Sequence, residues 1–236
     1  MNRRDLLKGS LAAGAALAMP ARVFAQVNPS AARDRTLIEV ARQQLARVGD
    51  RIWRRDIVGI ADFGLHSAAE RFHFVDVEHE RVQSFHVSHG DGSDPQHDGW
   101  LKYYSNEEGS HCTSRGAYMT RSWYRGKYGT SLRLDGLDPT NTNALQRAIV
   151  MHPAEYARPE HIGRYGRLGR SNGCFAMGPE QFGRALIDLG GGRLLFADSL
   201  GIDAEGNRLA PPMAQLDLPR HPGGTAAFDR ASAGEY

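Results

Sequence analysis

The segment from Gly169 to Met177, GRSNGCFAM, carries one of the chain's two cysteines, and His152 closes the apolar run Ala148 to Met151 upstream of it. Cysteine chemistry needs a thiolate, and a free thiol is only a few per cent ionised near neutral pH. A catalytic cysteine therefore wants a histidine within reach, backbone N–H groups aimed at the substrate oxygen, and access. Gly173 lets the backbone before Cys174 turn tightly and approach a substrate closely. The N–H groups of such a turn suit an oxyanion. A histidine at a strand end sits at the rim of a sheet, where it can meet a cysteine on a later loop. Ser171 could orient either group.

Three other readings of Cys174 stand beside that one. It could pair with Cys112 in an oxidising compartment, although GSHCTSRG places no disulfide framework around Cys112. It could be a small buried filler. It could join a metal site with His86, His89, His97, His111 and Cys112. Against a metal, His86 and His89 are three apart in an expected strand and would face opposite ways. The chain also lacks HExxH and CxxC. The expectation is no metal and no cofactor.

The elements that must position these residues follow from periodicity. In RDRTLIEVARQQLARVGDRI, Leu37, Val40, Ala41, Leu45, Val48 and Ile52 recur at helical spacing, predicting an amphipathic helix. From Asp56 the period shortens. DIVGIADF, RFHFVDVE and RVQSFHVSHG predict strands, with a turn at residues 78–81 joining the last two. DGSDPQHDGW is a polar loop. SRGAYMTRSWY, TSLRLDGL and QRAIVMH are further strands, GPEQFGRALIDLGGG a helix, and RLLFAD the final strand. No internal repeat or low-complexity segment interrupts them.

The N-terminus reads MNRRDLLKGSLAAGAALAMPARVFAQ, with basic residues, then a short apolar run, then small residues at Val23 and Ala25. The run is too short to span a bilayer, so it predicts a cleaved export signal rather than an anchor, with no stable membrane insertion. Arg3-Arg4 followed by Asp5-Leu6-Leu7-Lys8 resembles a twin-arginine signal. Residues 1–25 hold four basic groups and one acidic one, so their removal takes the formal charge from +2 to −1. The remaining chain has no basic excess that would suggest nucleic-acid binding. The expected organisation is a signal at 1–25, a leader and amphipathic helix at 26–55, a catalytic domain at 56–200, and an irregular tail at 201–236. The sequence is silent on oligomeric state.

GRSNGCFAM resembles the active-site segment of the YkuD-like L,D-transpeptidases, in particular the murein L,D-transpeptidase catalytic domain family. The resemblance runs back through YYSNEEGSHCTSRGAYMT and YRGKYGTSLRLDGLDPTNTNALQRAIVMHPAEY and forward to GGRLLFA. It implies a mainly β, sandwich-like fold with a few helices, and an exported enzyme of the periplasm or cell wall acting on peptidoglycan stem peptides. It implies Cys174 as nucleophile, His152 as base, and Gly173 with Ser171 in oxyanion and supporting roles. Arg170, Asn172, Gly116 and Tyr118 are implied as substrate-binding positions. The implied reaction passes an acyl group from a tetrapeptide stem through a thioester to an amine. The alternatives are an L,D-carboxypeptidase that uses water, and a silent murein-binding domain. Two positions depart from the family pattern: Asn172 where many members have histidine, and Pro153 where many have glycine. Cys112 stands where a plain polar residue is expected.

Overall fold

A computed structural model describes residues 29–127 and 129–218. The expected export signal at 1–25 lies outside the described residues, as do residues 219–236. The apolar stripe of the first segment builds α1 (Pro29–Val48), and a single 3-10 turn carries the chain on to Ile52. All six stripe residues are buried.

Ten strands follow the shorter period: β1 (Ile57–Asp62), β2 (Phe72–Asp76), β3 (Arg81–Phe85), β4 (Tyr103–Tyr104), β5 (Gly116–Gly126), β6 (Gly129–Gly136), β7 (Val150–Pro153), β8 (Phe175–Met177), β9 (Leu194–Asp198) and β10 (Leu216–Asp217). Eight form one mixed sheet in the order β3-β2-β1-β9-β5-β6-β7-β8. Its pairs are antiparallel except β1 with β9 and β7 with β8. Parallel neighbours need a crossover, and between β7 and β8 it contains a short helix, α2 (Pro159–Tyr165).

The sheet folds over on itself. Phe72 and Phe74 near one end share a core with Met151, Phe175 and Met177 at the other, and the rings of Phe63 and Phe175 lie 5.9 Å apart. Helix α3 (Pro179–Leu189) adds Phe182, Ala185 and Leu189 to this inner core. Helix α1 covers the opposite face, where its stripe packs on Val58, Ile60, Val75, Leu194 and Phe196. The domain is therefore mainly β and sandwich-like, as the resemblance implies.

The structure departs from the sequence expectation at several elements: β4 and β8 are not among the expected strands, and β3 ends at Phe85, so His86 and His89 lie beyond it. β7 begins at Val150 rather than Gln146, because Ala148 adopts a left-handed conformation (φ 54°) that no strand continues through. α2 is a single short helix with proline in its first turn, too short to show a period. RLLFAD is not the last strand. Asp62, fully buried, accepts backbone N–H bonds from Gly64, Leu200, Gly201 and Ile202 at 2.7–3.0 Å, tying residues 200–202 to the end of β1. The chain then pairs β10 with β4, and Gln215 donates to the carbonyls of Phe63 and Leu101.

Candidate active site

Strands β7 and β8 lie side by side, with Met151 opposite Phe175 and His152 opposite Ala176. Met151, Phe175 and Met177 enter the inner core. Side chains alternate along a strand, so Val150, His152 and Ala176 take the other face, and Cys174, just before β8, joins them. One strand spacing and two residue rises separate the Cα atoms of His152 and Cys174 by roughly 8 Å. That is within the combined reach of an imidazole and a thiol.

Hydrogen bonding sets the tautomer of His152. Its Nδ1 lies 3.0 Å from the carbonyl oxygen of Pro153. A carbonyl only accepts, so Nδ1 carries the proton and Nε2 the basic lone pair. Burial pushes the imidazole pKa below its ordinary value, with the Pro153 carbonyl opposing. At neutral pH the ring is an uncharged base. Proline at 153 costs nothing here, because its carbonyl, not its missing N–H, holds the histidine.

Cys174 is nearly buried, and its Sγ lies 3.7 Å from the carbonyl oxygen of Ala148. Burial raises the thiol pKa, while the Val150 backbone N–H and the Arg147 charge oppose that rise. The resting group is the thiol, so any attack by this sulfur would need a base to take its proton.

The turn before Cys174 is held tightly. Gly173 has φ 104°, and a Cβ there would lie 2.7 Å from the Cys112 carbonyl oxygen and 3.0 Å from Ile149 Cδ1. Only glycine fits. The Ser171 hydroxyl donates to the Cys174 carbonyl at 2.6 Å, and its backbone N–H to the His89 carbonyl at 2.9 Å. The Asp91 N–H returns a bond to the Ser171 carbonyl at 2.7 Å. Ser88 donates through Oγ to the Gly169 carbonyl and through N–H to the Ala176 carbonyl, both at 2.8 Å. Residues 88–91 thus run along the motif like an extra strand.

Behind them lies a buried polar chain. Arg71, fully buried, donates to the carbonyls of Leu65 and Val87 and to His89 Nδ1 at 2.7 Å. Guanidinium has no lone pair to offer, so His89 carries its proton on Nε2, which faces Asp94 Oδ2 at 3.4 Å. Lys102 Nζ donates to Asp94 at 2.7 Å. Burial lowers the His89 pKa to about 4. It also disfavours the Asp94 anion, but bonds from His89 and Lys102 outweigh it and hold the carboxyl well below its ordinary range.

The remaining implied positions fall in different places. Arg170 donates to the Asp94 carbonyl and is partly buried, while Asn172 is exposed at the turn. Tyr118 lies in the inner core, edge-on to Phe175 at 5.5 Å, and its hydroxyl bonds to Ser114. Gly116 (φ 118°) sits against Asp138 and Asn141. Both cysteines are free thiols, and burial lifts Cys112 to about 11. Among the described residues no three His, Cys, Asp or Glu side chains group as metal ligands. No described helix is long and apolar enough to cross a membrane.

Sequence reasoning weighed His89 only as a metal ligand and missed Arg71, Asp94, Lys102 and Arg147. Their polarity reads as loop or surface. A weak signal was present in Gly90, where a Cβ would lie 2.1 Å from the His111 carbonyl oxygen and 2.8 Å from Gly173.

Residues 1–20 match the twin-arginine translocation pathway signal sequence, an address for export. Among solved structures, an L,D-transpeptidase from Mycobacterium smegmatis is similar at 13% identity and TM-score 0.36, over 61% of this chain and 58% of that one. An L,D-transpeptidase from Mycobacterium tuberculosis H37Rv gives 17% and 0.33, over 61% and 57%. The helical cell shape determining protein Pgp2 from Campylobacter jejuni gives 13% and 0.38, over 67% and 55%. The chain thus spans less than two thirds of the length of these relatives. A search of curated proteins gave no match. Residues 31–197 match the L,D-transpeptidase catalytic domain, the stretch that holds nearly all of α1 and of the eight-stranded sheet, with His152 and Cys174, and the chain belongs to that family.

Proposed function

We propose that this protein is an exported L,D-transpeptidase that acts on peptidoglycan stem peptides through Cys174. The observation that carries the reading is the pairing of β7 with β8, which sets a neutral, Nε2-basic His152 and the Cys174 thiol on one sheet face.

His152 Nε2 takes the thiol proton as Sγ attacks the carbonyl carbon at the L-centre of the stem diamino acid. The carbon–oxygen π pair moves to oxygen, and the backbone N–H groups of Gly173 and Cys174 stabilise the oxyanion. Ser171 holds the Cys174 carbonyl, in the peptide that follows those donors, and so fixes the end of the turn that carries them. Collapse breaks the bond to the terminal D-alanine, whose amine leaves with the proton from His152, and a thioester remains. An amine from a second stem then attacks, gives its proton to His152, and expels the thiolate, which takes the proton back. The product is a link between two diamino acids. Arg170, Asn172, Gly116 and Tyr118 are assigned substrate contacts on the family resemblance; the internal bonds of Tyr118 favour a supporting role.

The test is incubation of the full chain with purified murein and mass analysis of muramidase digests, beside intact-mass measurement after exposure to a carbapenem. Crosslinked dimers that vanish in Cys174→Ala, together with a carbapenem adduct on Cys174, are expected. Trimmed stems without dimers would make the enzyme an L,D-carboxypeptidase. An adduct on Cys174→Ala would remove the assignment of Cys174. Folded, reduced wild type that neither forms an adduct nor processes murein would leave the silent binding domain.

A further inference from the structure

Arg147 lies five residues before His152 and takes no part in the reaction described above. It occupies the turn that leads into β7, between Asn143, whose carbonyl accepts its N–H at 2.8 Å, and the left-handed Ala148. Its guanidinium crosses to the far side of the site. Nη1 donates to the Ser105 carbonyl at 2.8 Å and to Ser114 Oγ at 3.5 Å. Nη2 donates to the Cys112 carbonyl at 2.6 Å and to Ser110 Oγ at 3.3 Å. These four acceptors are neutral oxygens, so the bonds fix the fork without cancelling its charge.

The same Nη2 comes within 3.2 Å of the point where a Cβ on Gly173 would stand, and the next residue is Cys174. The thiol in turn lies 3.7 Å from the carbonyl of Ala148, the residue after Arg147. Guanidinium and thiol therefore flank the Gly173–Cys174 turn. Cys174 is nearly buried and Arg147 half-buried, and partial removal from water strengthens a charge interaction between them.

We propose that Arg147 is the positioning residue of this site: its guanidinium clamps the 105–114 loop onto the Gly173 turn and supplies the fixed positive charge against which the Cys174 thiolate forms. The proposal deepens the reading of Cys174 as nucleophile and rests on it. The charge of Arg147 favours the thiolate of Cys174, in opposition to burial. The other titratable groups that Arg147 senses are Tyr118, Cys112 and Glu107. Tyr118 and Cys112 are neutral at working pH, with pKa values pushed up to about 12 and about 11 by burial. Glu107 is the acidic group that competes for the charge. His152 approaches the thiol from β7 and is neutral. Arginine suits the task better than lysine, because one planar fork reaches four acceptors and stays charged at every working pH.

The test reads the thiol directly and needs no murein. The rate of Cys174 alkylation by iodoacetamide, assigned by peptide mass mapping, is followed against pH in wild type, Arg147→Met and Arg147→Lys. Arg147→Met is expected to raise the midpoint by about one pH unit, slowing alkylation near pH 7 on the order of tenfold. Arg147→Lys is expected to return most of that shift while losing the fork's bonds to the loop. A purely structural arginine predicts the reverse pattern, with both variants destabilised alike and the midpoint unmoved; that result overturns the proposal. If Arg147→Met does not fold, wild type alone decides. The ratio of iodoacetate to iodoacetamide rates at Cys174 should exceed that of free cysteine, and a ratio at or below it overturns the proposal. An intact alkylation shift with no murein product would leave Arg147 in place and fault only the proposed function.

Discussion

Replacing Asp94 by asparagine tests whether the buried chain behind the motif holds the domain together. Asp94 is fully buried, and its carboxylate accepts from Lys102 Nζ at 2.7 Å, the Gly99 N–H at 2.9 Å, the Asp98 N–H at 3.2 Å and His89 Nε2 at 3.4 Å. Asparagine keeps the shape and one acceptor oxygen. Its amide nitrogen must then face a donor, the His89 or Gly99 N–H or the Lys102 ammonium. Lys102, itself buried, keeps only Asp98 at 2.6 Å as a carboxylate partner. Removing one partner of a buried ion pair costs about 3–5 kcal/mol, and the surviving Asp98 bond places this case near 3. With a urea slope of about 2 kcal/mol per molar for a domain of this size, the midpoint should fall by about 1.5 M. Equilibrium urea unfolding followed by tryptophan fluorescence measures it. A shift below about 0.3 M at unchanged slope would refute the claim that the charge on Asp94 is structural. The double variant with His89→Ala should lose less than the sum of the two single losses, because both break one network.

Acid should weaken the fold before it unfolds it: burial lowers His73 to about 3 and His89 to about 4, so both are neutral in the folded chain and charge more readily once unfolded. Their contribution is complete above about pH 6.5 and is lost as pH falls toward those values, on the order of 2 kcal/mol per histidine by pH 5; a urea midpoint unchanged between pH 7.5 and 5 contradicts this. Ala148→Gly should stabilise by up to about 1 kcal/mol, because Ala148 is exposed and its left-handed backbone is strained for any residue with a Cβ; a lower melting temperature counts against it. Gly90→Ala should cost about 3 kcal/mol, since its Cβ would meet the His111 backbone oxygen at 2.1 Å and neither atom can swing aside; a loss under about 0.5 kcal/mol would show that the 90–92 turn yields.

What was legible in the sequence is what a short stretch of chain decides by itself. The stripe of α1 reads at once because Leu37 to Ile52 repeats at helical spacing, and every stripe residue is buried. Cys174 and His152 stand out because a glycine-flanked cysteine and a strand-end histidine are informative residue types where they stand, and the pairing of β7 with β8 brings their segments side by side. The residues that hold them were hidden for a physical reason. DGSDPQHDGW is mostly polar, and nothing within it tells that Asp94 is buried; that follows from residues 88–91 docking against Gly169 to Ser171, some eighty positions away. The same holds for Arg147, whose four acceptors come from a loop more than thirty positions earlier. Its neighbour Ala148 breaks the expected strand, and that break is what lets one turn aim a carbonyl at Cys174 while sending a guanidinium to Gly173. The chemistry proposed for this site is written locally, in nine residues and a histidine. Its electrostatics are assembled from contacts that only the folded chain creates, so the groups that tune the thiol look like ordinary loop residues until the loops meet.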